Sequence, residues 1–365
     1  MQRKPVVLIL TSSDERGGAA ENLAAAIRAD GEFNTVVLDE SEYGRRPLFG
    51  RTAAVAFGAD KRRLLASGAA SAGRLLKKGG RQGKLYGRNR RVANALKRYA
   101  PEYVLTVTPY AQAAFVEAKR RSGADVRSVH SVQAFVLPEE EHPAYAADMY
   151  LVENADIKEA LVSRGIPSKH VVVTGLPFDA PEVTPIEMEE GKQELGLPRT
   201  PTVFVNADGR DAVEIMGLLA DQGDIINIVC YAEDVKLLAA LRAKADNAET
   251  RSNIVLLTRR DMFDEYLLMS DIIVTRYEPV IIYKCFKAGK PVIAFAKTAA
   301  ATRNLDYLAE RKLIMKASSD IDVVALIYKF MQTDTASEYV KNGRERTAMF
   351  STANTANYLA AHLGG

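Results

Sequence analysis

The chain has no tryptophan, two cysteines and four histidines in 365 residues, and each shortage removes a class of function. Cys230 and Cys285 stand among apolar neighbours and cannot build a disulfide framework or a thiol-rich metal site. The histidines, at positions 130, 142, 170 and 362, have no metal-ligand spacing. Neither a metal nor a cofactor is therefore expected. No apolar run reaches the roughly 20 residues that span a bilayer. Val6–Leu10 is shorter than a signal-peptide core of about 7–15 residues and reads as the buried first strand of a cytoplasmic protein.

Acid is scarce in one place. Between Arg45 and Arg98 sixteen lysines and arginines meet a single acid, Asp60, so a net charge of +3 for the whole chain leaves −12 on the remainder. Such segregation describes one basic face on an otherwise acidic molecule. Within it Leu64–Leu65 and Leu75–Leu76 are flanked by Lys61, Arg62, Arg63, Arg74, Lys77 and Lys78, a pattern that suits an anionic bilayer surface. Phe57 and Tyr86 lie far apart, so the aromatic interleaving of nucleic-acid binding is missing and no nucleic-acid partner is expected. The segment predicts a protein held peripherally on the inner face of the membrane by anionic lipids.

Short apolar runs alternate with helical patterns along both halves, as in βαβ units around parallel sheets. In the first half the strand expectations are Val6–Leu10, Thr35–Leu38, Tyr103–Val107, Val126–Val129, Met149–Val152 and Val171–Val173. The second series runs through Val203–Asn206, Ile225–Cys230, Asn253–Leu257, Asp271–Thr275 and Pro291–Phe295. Periodicity stops in an acidic, proline-containing stretch, read as a linker over 181–190 between domains at 1–180 and 191–340. The last 25 residues, 341–365, read as a helix that returns to the first domain. Two Rossmann-like domains in tandem imply a cleft, with ligands at the carboxyl ends of the strands.

Two turns follow first strands. After Leu10 come Asp14, Gly17 and Gly18, then a helix; glycines there let backbone N–H groups approach an anion at the helix N-terminus. Asn206, Asp208, Gly209 and Arg210 occupy the corresponding place in the second half. Arg276, Tyr277 and Glu278 follow another strand end, where Arg276 or Lys284 could hold a pyrophosphate and Glu278 a sugar hydroxyl. Asp14 and His130 are the candidate bases.

Tyr150 to Phe178 read Y-L-V-E-N-A-D-I-K-E-A-L-V-S-R-G-I-P-S-K-H-V-V-V-T-G-L-P-F: strand, helix, Gly-Ile-Pro stop, strand, Thr-Gly-Leu-Pro turn. This order resembles the family of monogalactosyldiacylglycerol synthase and the diacylglycerol glucosyltransferases, with the peptidoglycan N-acetylglucosaminyltransferase as a more distant relative. Val255–Pro291 is similar to that family's sugar-nucleotide half, and its Arg260 and Met262 fall in the loop that lies over the uracil base. The resemblance implies a GT-B α/β fold and an inverting glycosyltransferase moving a sugar from a UDP-sugar to a lipid or other membrane-associated acceptor. In that reading the UDP-sugar is a substrate.

The departures fall at the family's chemical positions. Ala19 stands where a histidine is usual, Glu278-Pro279 where two glycines open the donor helix, and Lys284 where a glutamate takes hydroxyls. Alanine cannot move a proton, charged lysine cannot accept one, and proline lacks a donor. The alternative reading is thus a non-catalytic GT-B protein that binds a nucleotide sugar or lipid, or organises a partner enzyme. A nucleotide-sugar 2-epimerase shares the two-domain plan, but few candidate carboxylates and histidines are available for it.

Overall fold

Strands buried on both faces need unbroken apolar runs, and those runs set the fold. The structure, a computed structural model, describes residues 4–11, 18–39, 82–141, 143–232 and 234–363. In chain order the first elements are β1 (Val6–Leu10), α1 (Ala19–Asp30), β2 (Asn34–Leu38), α2 (Gln82–Tyr99), β3 (Tyr103–Thr106), α3 (Pro109–Ser122), β4 (Arg127–Ser131), β5 (Met149–Val152), α4 (Ala155–Ser163) and β6 (Val171–Val173). There follow α5 (Pro185–Glu194), β7 (Thr202–Asn206), α6 (Gly209–Ala220), β8 (Asn227–Tyr231), α7 (Val235–Asp246), β9 (Asn253–Leu257), α8 (Phe263–Leu268), β10 (Ile272–Arg276) and α9 (Pro279–Ala288). The chain ends through β11 (Val292–Phe295), α10 (Ala299–Glu310), β12 (Met315–Lys316), α11 (Asp320–Gln332), α12 (Thr335–Thr347) and α13 (Thr352–Leu363).

Two six-stranded sheets result, in the orders β2-β1-β3-β4-β5-β6 and β12-β11-β10-β7-β8-β9. Every strand pair is parallel. The chain divides into two compact units. Unit 1 comprises Met1–Gln133, Leu137–Pro177 and Thr352–Gly365, and unit 2 comprises Ala134–Val136 and Phe178–Ser351.

In unit 1, Leu8 and Leu10 share one face of the sheet with Val104 and pack on Val92, Leu96 and Phe115 of α2 and α3. The alternate residues Val7 and Ile9 are also buried, as are Leu23 of α1 and Leu359 of α13, so the sheet is covered on both faces. In unit 2, Val203, Val205, Ile228 and Val274 pack on Ile215 and Leu219 of α6 and Ile327 of α11.

Side-chain caps set the helix starts. Thr108, Asn154, Asp234, Thr298 and Ser319 each accept a first-turn backbone N–H, which satisfies donors that the helix itself cannot. Two boundaries differ from the expectation. The linker stretch 181–190 is helical from Pro185, because Thr184 and Glu187 form a reciprocal capping box that starts a helix without an apolar stripe. The return to unit 1 comes at Thr352 rather than at 341.

Residues 40–81 hold both leucine pairs and most of the basic Arg45–Arg98 segment. With Asp14 and Gly17 they lie outside the described residues. Among the described residues no helix is long and apolar enough to cross a membrane.

A buried cation marks the amino-terminal edge of the second sheet. Lys290 is 6% exposed and its Nζ lies 3.3 Å from Met188 Sδ; burial pushes its ammonium down to about 8 from 10.5. Between those two values the unfolded chain holds a proton that the folded chain has released, so unit 2 gains stability as pH rises through that window. Lys290→Met is expected to flatten this slope and to raise stability below pH 8, as read from denaturant midpoints across pH.

Candidate functional site

Neighbouring strands that continue to opposite sides leave a crevice at their carboxyl ends, and in unit 2 this switch point falls between β7 and β10. Asn206 ends β7 and Arg276 ends β10. The pairing Thr275↔Asn206 puts both ends at one level.

Four of the expected residues converge there. Arg276 Nη2 lies 3.2 Å from Glu278 Oε2 and Nη1 is ion-paired with Asp208 Oδ1. Asn206 Nδ2 donates to Thr275 Oγ1 at 3.1 Å and to Glu278 Oε2 at 3.4 Å. The two carboxylates differ in access: the Glu278 side chain is 11% exposed and that of Asp208 56%. One edge of the guanidinium is thus held by a buried acid, while the other is held by an acid that can exchange with a ligand.

Two helices begin beside this cluster. Asp208 precedes α6 without capping it through its side chain, because its carboxylate goes to Arg276. Gly209, the first residue of α6, has φ +52, a left-handed conformation that glycine adopts without strain. Pro279 stands at the first position of α9, where a missing N–H costs no helical hydrogen bond. The helix keeps all its hydrogen bonds, but a first-turn N–H that an anion could take is absent at this position.

Other expected residues have different partners. Lys284 Nζ pairs with Asp264 Oδ2 at 2.8 Å, so α8 holds it. Arg210 is 3.5 Å from Glu214 along α6 and its side chain is 78% exposed. Tyr277 contributes its backbone N–H to Phe295 O at 2.9 Å. Arg260 and Met262 belong to a single 3-10 turn after β9, on the same edge of the sheet but three strand spacings from β10, roughly 14 Å. There the Arg260 guanidinium lies 4.9 Å from the centre of the Phe263 ring.

In unit 1, Gly18 precedes α1 with φ +70, and Ala19 is fully buried. His130, the candidate base, is enclosed. It is 0% exposed, with Nδ1 2.7 Å from Thr106 Oγ1 and Nε2 2.6 Å from Glu141 Oε1. Thr106 Oγ1 also donates to Gln112 Oε1 at 2.8 Å, and Gln112 Nε2 donates to Tyr145 O at 3.1 Å. With both nitrogens engaged and no exposed surface, His130 is held as part of a buried hydrogen-bond network. Glu141, which completes the network, was not singled out in the sequence; it sits in a loop eleven positions after His130. Among the described residues no group of three or more histidine, cysteine or carboxylate side chains could hold a metal ion.

No family model matches the chain, and no curated protein matches it. Solved structures match along nearly its whole length. MurG of Acinetobacter baumannii superposes with a TM-score of 0.64 at 12% identity, covering 99% of each chain. The UDP-GlcNAc 2-epimerase of Neisseria meningitidis, bound to UDP-GlcNAc, gives 0.61 at 14% identity over 98% of this chain and 99% of that one. Anabaena HepE in complex with UDP and glucose gives 0.60 at 13% identity over 99% of each. The chain has the GT-B fold, two Rossmann-like parallel-sheet units.

Proposed function

We propose that the chain binds a UDP-sugar on unit 2 and, as an inverting glycosyltransferase, moves the sugar to a lipid or other membrane-associated acceptor. The observation that carries the proposal is the convergence of Asn206, Asp208, Arg276 and Glu278 at the β7/β10 switch point beside the start of α6. A diphosphate oxygen can replace the exposed Asp208 carboxylate on Arg276 while buried Glu278 keeps the guanidinium aimed, and first-turn N–H groups of α6 add positive potential. Similarity to structures holding UDP or UDP-GlcNAc supports the choice of ligand. In the transfer the acceptor oxygen forms the new bond to the anomeric carbon, the diphosphate leaves with its bonding electrons, and the acceptor proton passes to a base.

Calorimetry with UDP tests the donor half. Arg276→Ala removes a charge-assisted contact and is expected to weaken binding by about tenfold or more. Asp208→Ala removes a competing anion and is expected to leave binding unchanged or tighter. A wild-type chain that ignores UDP and its sugars at millimolar concentration overturns the reading.

The membrane half rests on the Arg45–Arg98 charge. The protein is expected to sediment with anionic but not neutral vesicles and to be released near 1 M salt, where the Debye length is about 3 Å. A second reading, a GT-B protein that binds the nucleotide sugar without catalysis, draws on the burial of His130 and the Lys284–Asp264 pair. UDP binding without release of UDP from a UDP-sugar, whatever membrane extract is added, favours it.

A further inference from the structure

Unit 1 contains a cavity of about 620 Å³ at the amino-terminal ends of β3, β4 and β5, the sheet edge opposite to the one where open α/β sheets bind ligands. That volume is typical of small-molecule sites. Its lining includes four side chains able to carry positive charge: Arg127 at the start of β4, Arg164 and His170 between α4 and β6, and His362 from the last turn of α13. The lining includes one acid, Asp148. Its Oδ2 accepts from Ser128 N at 2.7 Å and from Ser128 Oγ at 3.2 Å, and lies 3.7 Å from Lys119 Nζ. Asp148 is thus engaged by Ser128 and Lys119, and the two guanidinium groups of the lining outnumber it.

The rest of the lining is apolar, with Tyr103, Val129, Met149 and Ile166 among it. The Arg127 guanidinium stands 6.0 Å from the centre of the Tyr103 ring, so charge and aromatic surface adjoin. Arg164 Nη1 donates to Glu141 O at 2.7 Å, which anchors that guanidinium while other N–H groups of the fork remain for a ligand. Planar guanidinium forks match tetrahedral oxyanions bidentately, and an apolar floor rewards a ligand with a hydrocarbon body. We propose that this cavity binds a phosphate monoester carrying an apolar substituent, its head at Arg127 and Arg164 and its body against Tyr103, Met149 and Ile166. The site lies wholly within unit 1 and is separate from the UDP-sugar proposal on unit 2.

The ester could be soluble or the headgroup of a lipid, and calorimetry can separate the two. The probes are phenyl phosphate, dihexanoyl phosphatidic acid and inorganic phosphate, with the wild-type chain, Arg127→Gln and Ala146→Phe. Arg127 and Ala146 are exposed, so neither substitution disturbs the core, and Ala146→Phe fills the cavity that Ala146 lines. At least one ester is expected to bind with one-to-one stoichiometry, about tenfold tighter than inorganic phosphate, and to lose about tenfold in both variants while UDP affinity is unchanged. The tighter ester then names the source. Esters that bind no better than inorganic phosphate, binding that survives both substitutions, or displacement of the ester by UDP would each overturn the proposal.

Discussion

Glu141→Ala is expected to lower the stability of unit 1 by roughly 3–5 kcal/mol, the cost of removing one partner from a buried, hydrogen-bonded pair. The hydrogen-bond pattern supports the size. Gln112 gives its amide nitrogen to Tyr145 O, so its oxygen faces Thr106 and takes the hydroxyl proton. Thr106 must then accept from His130 Nδ1, which leaves Nε2 and the Glu141 carboxyl sharing one proton across 2.6 Å. With His130 0% exposed and Glu141 6% exposed, no bulk water replaces the lost partner. For a domain of this size each kcal/mol moves the melting temperature by about 2–4 °C, so the shift is on the order of 10 °C. Replacing both groups, as in His130→Leu with Glu141→Leu, should recover part of the loss because neither polar group is left stranded. A catalytic histidine would behave differently: its removal would slow turnover and leave melting unchanged. Glu141→Ala melting within about 2 °C of the wild type, well short of the roughly 6 °C minimum that the cost implies, would refute the structural role.

Much of the fold was legible because parallel strands buried on both faces leave continuous apolar runs. Val6–Leu10, Met149–Val152, Val171–Val173 and Asn253–Leu257 were read to the residue. The fourth strand was read as Val126–Val129 but runs from Arg127 to Ser131. Its buried Ser128 and His130 interrupt the apolar signal, and Asp148 and Glu141, which satisfy them, are distant in sequence. α5 escaped because its exposed face carries Ile186 while its buried residue is Lys192, held by Asp271 at 2.8 Å. α10, β12 and α11 also passed unread.

The site was legible where strand ends fix position. Asn206 and Arg276 each close an apolar run, so their place at strand ends could be read, whereas the adjacency of β7 and β10 comes from a crossover that the order of runs does not show. Lys284 and Arg210 sit on helices, where the direction of a long side chain depends on what lies nearby. Asp264 and Glu214 decided those directions, and neither was considered from sequence.

Phe263→Ala is expected to cost unit 2 about 3–5 kcal/mol, as for other large-to-small changes in a core. Phe263 is 3% exposed and meets Phe204 and Tyr231 edge-on, with ring centres 5.0 and 4.9 Å away and interplanar angles of 85° in both cases. Its face also lies under the Arg260 guanidinium at 4.9 Å, so one ring belongs to the core and supports the turn expected over uracil. Phe263→Leu separates these roles. Leucine keeps most of the volume, at a cost of about 1.5 kcal/mol or less, but removes the nearer of Arg260's two aromatic faces, leaving Tyr231 at 5.9 Å, and forfeits an attraction of about 0.5–1 kcal/mol. If the Arg260–Met262 turn contacts the base, Phe263→Leu should weaken UDP binding several-fold, by roughly the lost attraction, while the unit stays folded. Denaturant unfolding and UDP calorimetry on both variants provide the check. Unchanged UDP affinity in Phe263→Leu, alongside a large stability loss in Phe263→Ala, would leave the turn with a packing role and place the nucleotide at the β7/β10 end of the sheet alone.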